Sequence, residues 1–154
     1  MSRSTRTATW VKHTCVIIIG KQVVIIYFDF AKAFDSVSHP ILVHKLRAYG
    51  FCGRLLYILS DFLADHTQRV VLPNGVSTFC PVVSGVPQGS VLGPMLFLIY
   101  INDIVDLFHN VNVKLYADDV KIYLDITSHL DVLSVQDCID NIVTWRGLTH
   151  GSFS

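Results

Sequence analysis

KLYADDVKIY, residues 114–123, sets two runs of β-branched and aromatic residues back to back around a tip of alanine and two aspartates. Its flanks extend the pattern, so Val111–Tyr116 and Val120–Ile126 read as two strands joined tightly around Ala117-Asp118-Asp119, and a tight connection of this kind forces antiparallel pairing. Pro73-Asn74-Gly75 is a second strong turn signal, and it makes a hairpin of Gln68–Leu72 and Ser77–Val83. Helical spacing fills the intervals. Ser38-His39-Pro40 reads as a helix start, followed by Ile41, Leu42, Lys45, Leu46 and Tyr49 at helical spacing and by Gly50 and Gly53 at its end. Leu55–Leu63 continues as a second amphipathic helix. Pro94 opens a third, carried by Leu96, Phe97, Tyr100, Ile101, Ile104 and Leu107, and a last helix covers His129 to Trp145. Trp10–Ile19 reads equally as helix or strand. Strands and helices alternate, but the two tight hairpins favour the α+β class over α/β.

Composition bounds the rest. A chain of 154 residues builds one domain around one core. With 51% hydrophobic and 16% charged residues and a mean hydropathy of +0.48, it is unsuited to disorder. It carries more apolar surface than one small domain buries, as expected of a piece cut from a larger protein. Residues 1–9 are expected to be a disordered N-terminus, 10–146 the domain and 147–154 an unstructured tail. The 12 basic and 12 acidic side chains cancel, so composition alone does not indicate nucleic-acid binding, and any grip on a polyanion must come from local patches or further segments. The four cysteines, Cys15, Cys52, Cys80 and Cys138, are scattered without a C-x-x-C pair and read as reduced thiols half buried in a core. The seven histidines show no ligand spacing. Val16–Phe30 is apolar, but Gly20, Lys21 and Gln22 interrupt it and Asp29 stands near its end, so it is too short and too polar to span a membrane. The N-terminus lacks the layout of a signal peptide.

Val23–Phe30 is short, β-branched and aromatic, the pattern of a strand buried on both faces, with Val23, Ile25, Tyr27 and Asp29 on one side and Val24, Ile26, Phe28 and Phe30 on the other. A carboxylate ending a buried strand is costly unless a cation meets it. Taken singly, Asp118-Asp119 is ordinary turn chemistry, Asp29 a strand-end residue, and SGVPQG (84–89) a loop whose glycines supply positive φ. Taken together, two separate strands each deliver a carboxylate at a terminus, and a sheet that brings those ends together makes an oxygen-rich site for hard divalent cations such as Mg²⁺. Two such ions about 3.5–4 Å apart activate an attacking oxygen and stabilise a leaving one in nucleotidyl transfer. A nearby glycine-rich loop with a glutamine lets a nucleotide approach.

YFDFAKAFDSVSH (27–39), SGVPQGSVLGPMLFLIYIND (84–103) and KLYADDVKIY (114–123) resemble motifs A, B and C of the reverse transcriptases of non-LTR (LINE-like) retrotransposons, in the family's order and near its spacing. SRST (2–5) resembles the segment ahead of motif A, and the hairpin led by Gln68-Arg69 resembles the link between A and B. The likeness covers residues 2 to about 145. It implies a polymerase palm, an antiparallel sheet with packed helices, in a right-hand fold from which most of the fingers and thumb are missing. The implied activity is RNA-directed DNA synthesis by two-metal nucleotidyl transfer onto a primer 3′-OH, with Mg²⁺ (or Mn²⁺) as cofactor. Partners would be an RNA template, a DNA primer and deoxynucleoside triphosphates, inside the cell in nucleus or cytoplasm and away from any membrane.

The same resemblance assigns roles. Asp29, Asp118 and Asp119 match the metal-binding carboxylates, Asp119 the more permissive, and Phe30 contributes backbone near the triphosphate. Phe34 matches the aromatic that blocks a ribose 2′-OH, although as a bare pattern it reads as core. Gln88 and Gly89 match the pair bordering nucleotide and template. Tyr116 would stand close to the primer end, or simply flank the hairpin. Asp35 is assigned to structure. Another palm enzyme, such as a nucleotide cyclase, would share the carboxylate logic but leaves PQGS and YADD unexplained. The departures point to an alternative, an inactive retroelement remnant or a non-enzymatic nucleic-acid-binding module. Trp10–Ile19 differs from the family's acidic amphipathic helix, and RGLTHGSFS (146–154) matches nothing expected before a thumb. Arg3 and Arg6 are the only triphosphate-binding candidates near the start, and a frayed basic terminus is the plainer reading of them. Losing cationic positioning groups costs on the order of 10²–10⁴ in rate for each. Primer extension on an RNA template with Mg²⁺ or Mn²⁺ is therefore expected to be weak or absent for these 154 residues alone. Robust extension that vanishes in Asp118→Ala would overturn this.

Overall fold

The computed structural model describes residues 11–18 and 21–150, with side-chain detail from 22 to 147. The expectations for residues 1–9, Trp10, Ile19, Gly20 and 151–154 lie outside them. Along the chain run β1 (Val11–Ile18), β2 (Lys21–Asp29), α1 (His39–Ala48), α2 (Gly53–Leu63), the two-residue strands β3 (Thr67–Gln68), β4 (Val71–Leu72), β5 (Gly75–Val76) and β6 (Cys80–Pro81), α3 (Leu92–Ile101), β7 (Asn112–Tyr116), β8 (Asp119–Ile126) and α4 (His129–His150). Short 3₁₀ turns cover Phe34–Ser36 and Asn102–Leu107. The α+β class is borne out: a four-stranded antiparallel sheet in the order β1-β2-β8-β7 accompanies the helices.

The chain divides into two compact units, each described by itself: Met1–Ala31 with Ile104–Trp145, and Lys32–Asp103 with Arg146–Ser154. The first holds the sheet. Phe28 pairs with Val120 and Ile26 with Ile122, and all four are buried. Tyr27 pairs with Lys121 and Asp29 with Asp119 on the opposite face, and there Tyr27, Asp29 and Asp119 are exposed. The expectation that Val23–Phe30 is buried on both faces is thus corrected. Antiparallel strands joined by hairpins can leave one face to water, and Val and Ile favour strands even where half exposed. Asp29 therefore needs no buried cation to meet it. β2 also starts earlier than expected, since Lys21 and Gln22 pair with Ile18 and Ile17 instead of turning. Within the stretch left ambiguous in sequence, Val11–Ile18 is a strand.

α4 contributes a buried stripe of Val135, Cys138, Ile142 and Trp145, and Trp145 meets the Phe30 ring at 6.2 Å. Leu130, Leu133 and Val143, which belong to the same apolar pattern in sequence, stay exposed. The helix starts at a local cap: Asp131 Oδ2 accepts from the N–H groups of Thr127 and Ser128 (2.8 and 2.7 Å) and from both hydroxyls. These bonds, the Thr127 N–H foremost, hold the Asp131 carboxyl below its ordinary range. α4 runs through Gly147 to His150, where an unstructured tail was expected.

In the second unit α1 packs on α2 and α3 around Leu42, Leu46, Leu59, Leu63, Leu96, Phe97, Tyr100 and Ile101. Pro40 lies in the first turn of α1, as its sequence implies. The hairpin around Pro73-Asn74 is present, but as two separate two-residue ladders, β4–β5 and β3–β6. The third helix ends at Ile101, and the residues to Leu107 tighten into the 3₁₀ turn. Lys45 anchors α1 to α3 through the Tyr100 carbonyl (2.5 Å) and to the 3₁₀ turn after it through the Asp103 carboxylate (2.7 Å). Cys52 and Cys80 are exposed, contrary to the half-buried reading, whereas Cys138 is buried, which pushes its thiol pKa up. Among the described residues no helix is long and apolar enough to cross a membrane.

The one-sided sheet gives a direct test. Phe28→Ala is expected to destabilise the fold by about 3–5 kcal/mol, and Tyr27→Ala by less than about 1 kcal/mol, in urea unfolding followed by circular dichroism.

Candidate active site

The site begins with a register. β2 ends at Asp29, β8 begins at Asp119, and the two are direct cross-strand partners. Residues directly opposite in an antiparallel pair share a face, with Cα atoms about 4.5–5.5 Å apart. On the other side of β8, Tyr116 is the partner of Asp119. One row across the open face therefore reads Tyr116, Asp119, Asp29, and Asp118 occupies the turn beside it. Like charges set directly opposite repel. None of the three carboxylates makes a hydrogen bond or salt bridge to another described residue.

The turn itself is constrained. Only Ala117 and Asp118 separate the strands, and Ala117 sits at φ +51°, a left-handed conformation that costs a residue with a Cβ about 1–2 kcal/mol. Tyr116 is 82% exposed, so its ring is not a packing element. Phe30 is buried, with 5% of its surface exposed and its ring against Trp145.

Among the described residues no three His, Cys, Asp or Glu side chains are gathered closely enough to hold a metal ion. The triad is thus a backbone adjacency and not a formed cage. Its donors nevertheless fit hard cations: oxygen only, exposed or half exposed, and uncommitted.

The next row of the open face escaped the sequence reading. It pairs Lys114 with Lys121 and Lys121 with Tyr27, and the Lys121 ammonium lies 5.1 Å from the Tyr27 ring centre. Counting in twos from Asp119, the same rule that sorts the two faces of β2, is the signal that finds Lys121 on the carboxylate face. Two lysines here put local positive charge on a chain with none in net.

Phe34, Gln88 and Gly89 belong to the second unit. Phe34 is half buried and stacks on Phe97 with ring centres 4.2 Å apart. Gln88 is exposed and donates from Nε2 to Asp35 Oδ1 at 2.7 Å. Gly89 has φ +76°, and a Cβ placed on it would meet nothing within 4 Å, so its conformation, not crowding, calls for glycine.

Residues 2–149 match the family described as reverse transcriptase (RNA-dependent DNA polymerase). The chain is 33% identical over 128 residues to the RNA-directed DNA polymerase from mobile element jockey of Drosophila melanogaster, covering 77% of this chain and 14% of that protein. It is 30% identical over 125 residues to the probable RNA-directed DNA polymerase from transposon X-element of the same fly, covering 78% and 14%. Over 86 residues it is 30% identical to the retrovirus-related Pol polyprotein from type-1 retrotransposable element R2 of Popillia japonica, covering 56% and 14%. The chain spans 14% of the length of each of these relatives.

The hairpin tip predicts an asymmetry. Ala117→Gly is expected to leave stability within about 1 kcal/mol of the parent, because relief at positive φ offsets the added chain entropy. Ala117→Val should lose about 1–3 kcal/mol. Equal urea midpoints for the two variants would contradict the left-handed turn.

Proposed function

The chain belongs to the reverse transcriptase (RNA-dependent DNA polymerase) family, and from that premise we propose that it supplies the metal-binding palm of a non-LTR retrotransposon polymerase. In this reading it adds deoxynucleotides to a primer 3′-OH on an RNA template by two-metal nucleotidyl transfer. The observation that carries the reading is the direct pairing of Asp29 with Asp119 beside the Asp118 turn. Two carboxylates held opposite each other on an open face repel, and a bound cation reverses that term. Bound there, Mg²⁺ or Mn²⁺ supplies the polarisation of the attacking and leaving oxygens.

The chain's own residues do the rest. Asp29 and Asp118 hold the ions, Asp119 adds a more permissive ligand, and the Phe30 backbone faces the triphosphate. Tyr116, exposed beside Asp119, borders the primer end. Lys114 and Lys121, one row away, meet phosphates of the bound strand. Phe34, backed by the Phe97 ring, excludes a ribose 2′-OH, and Gln88 with Gly89 borders the incoming nucleotide. Activity is intracellular in this scheme, in nucleus or cytoplasm.

Paramagnetic line broadening by Mn²⁺ in ¹H–¹⁵N spectra of the chain tests the metal site without requiring turnover. Amides at 29, 30, 118 and 119 should broaden first. Asp29→Asn and Asp118→Asn should each weaken the effect about tenfold or more, and Asp119→Asn less. Broadening that is centred elsewhere, or that survives Asp29→Asn unchanged, would remove the metal role and favour a non-enzymatic binding module.

A further inference from the structure

The segment after β2 and the glycine-rich loop are fastened together within the second unit. The N–H of Gly85 donates to the Val37 carbonyl (2.8 Å) and that of Val86 to the Phe34 carbonyl (2.9 Å). Ser84 Oγ donates to the Asp35 carbonyl (2.9 Å), and His39 Nε2 donates to the Gly85 carbonyl (2.6 Å). Gly85, at φ +93°, lies so close that a Cβ would stand 3.0 Å from both the Cα and the carbonyl oxygen of Asp35. The backbones carrying Asp35 and Gln88 are therefore fixed relative to each other. Their side chains complete the arrangement, with Gln88 Nε2 donating to Asp35 Oδ1 at 2.7 Å. This pair stands at an open cavity of about 750 Å³, also lined by His39, His66, Ser84 and Pro87, a volume within the range of small-molecule sites.

We propose that Asp35 is a positioning residue for Gln88, holding its amide in one orientation toward the nucleoside part of an incoming nucleotide. The inference rests on the reading of Gln88 as a nucleotide-bordering residue. A carboxylate only accepts hydrogen bonds, so it selects the NH₂ end of the amide and turns Oε1 away. The bond is charge-assisted and shorter than a neutral one. It restrains an otherwise exposed, rotamer-rich side chain before any ligand arrives, which reduces the ordering cost of binding. The carboxylate also disfavours phosphate at this spot, so the group met by Oε1 and the remaining N–H is a sugar hydroxyl or a base edge and not the triphosphate.

The test is a titration of the ¹⁵N-labelled chain with dATP, reading the Gln88 side-chain amide and the apparent Kd. In the unsubstituted chain the Gln88 signals should shift on binding. Asp35→Leu should weaken binding about 3–10-fold, while Asp35→Asn, which keeps an acceptor, should stay within about threefold of the parent. In a Gln88→Leu background, Asp35→Leu should cost nothing further, because its effect runs through the amide. An equal loss in both backgrounds would overturn the proposal. So would a loss of about tenfold or more in Asp35→Asn alone, a variant that retains the hydrogen bond and with it the fold. Gln88 signals that ignore dATP, together with an unchanged Kd in Gln88→Leu, would instead remove the underlying reading of Gln88.

Discussion

The register between β2 and β8 is the constraint on which the site depends, and hydrophobic burial sets it. Phe28 and Ile26 on one strand, and Val120 and Ile122 on the other, face the core as direct pairs. Burying each such side chain is worth about 1.5–3 kcal/mol, whereas like charges set opposite cost at most about 1 kcal/mol. Burial therefore wins, and the acids accept the places it leaves them. A slip of one residue would turn every side chain of β2 over and put Asp29 into the core. The chemistry of the open face is held in place by the packing of the other.

That open face is segregated by charge even though the chain is neutral in net. A row of Tyr116, Asp119 and Asp29 adjoins a row of Lys114, Lys121 and Tyr27. Acidic groups suited to hard cations thus stand one row, two residues along the strand, from basic groups suited to phosphate. Net charge could not disclose this, because it sums over the surface whereas recognition depends on local fields.

The second unit solves a different problem, holding an irregular loop still. Residues 84–88 lack a ladder of their own, and the Gly85 and Val86 backbone and the Ser84 hydroxyl bond instead to residues 34–39. Tyr100, almost fully buried, receives the Ser38 N–H on its hydroxyl and the Lys45 ammonium on its carbonyl. Buried polar groups need such partners, and here the partners also connect α3 to α1 and to the residue that precedes it.

Sequence alone determined the hairpin around Ala117-Asp118-Asp119 and the turn at Pro73-Asn74-Gly75, each one residue longer than the turn that forms, together with the start of α1 at Ser38-His39-Pro40, the α+β class and the family, because turn chemistry, helix spacing and motif order are local properties of the chain. Asp29, Asp118 and Asp119 were grouped in sequence by motif order alone, and the sheet register is what sets Asp29 opposite Asp119. Only the tertiary structure decided that β2 exposes one face, that Val11–Ile18 is a strand, and that α4 continues through Gly147. An apolar run of eight is compatible with one-sided or two-sided burial, and what covers its second face is not a property of the run. The partnership of Asp35 with Gln88 and the lysine row beside the carboxylates arise the same way: residues far apart in sequence acquire a physical relation only when a sheet register or a loop clamp brings them to one place.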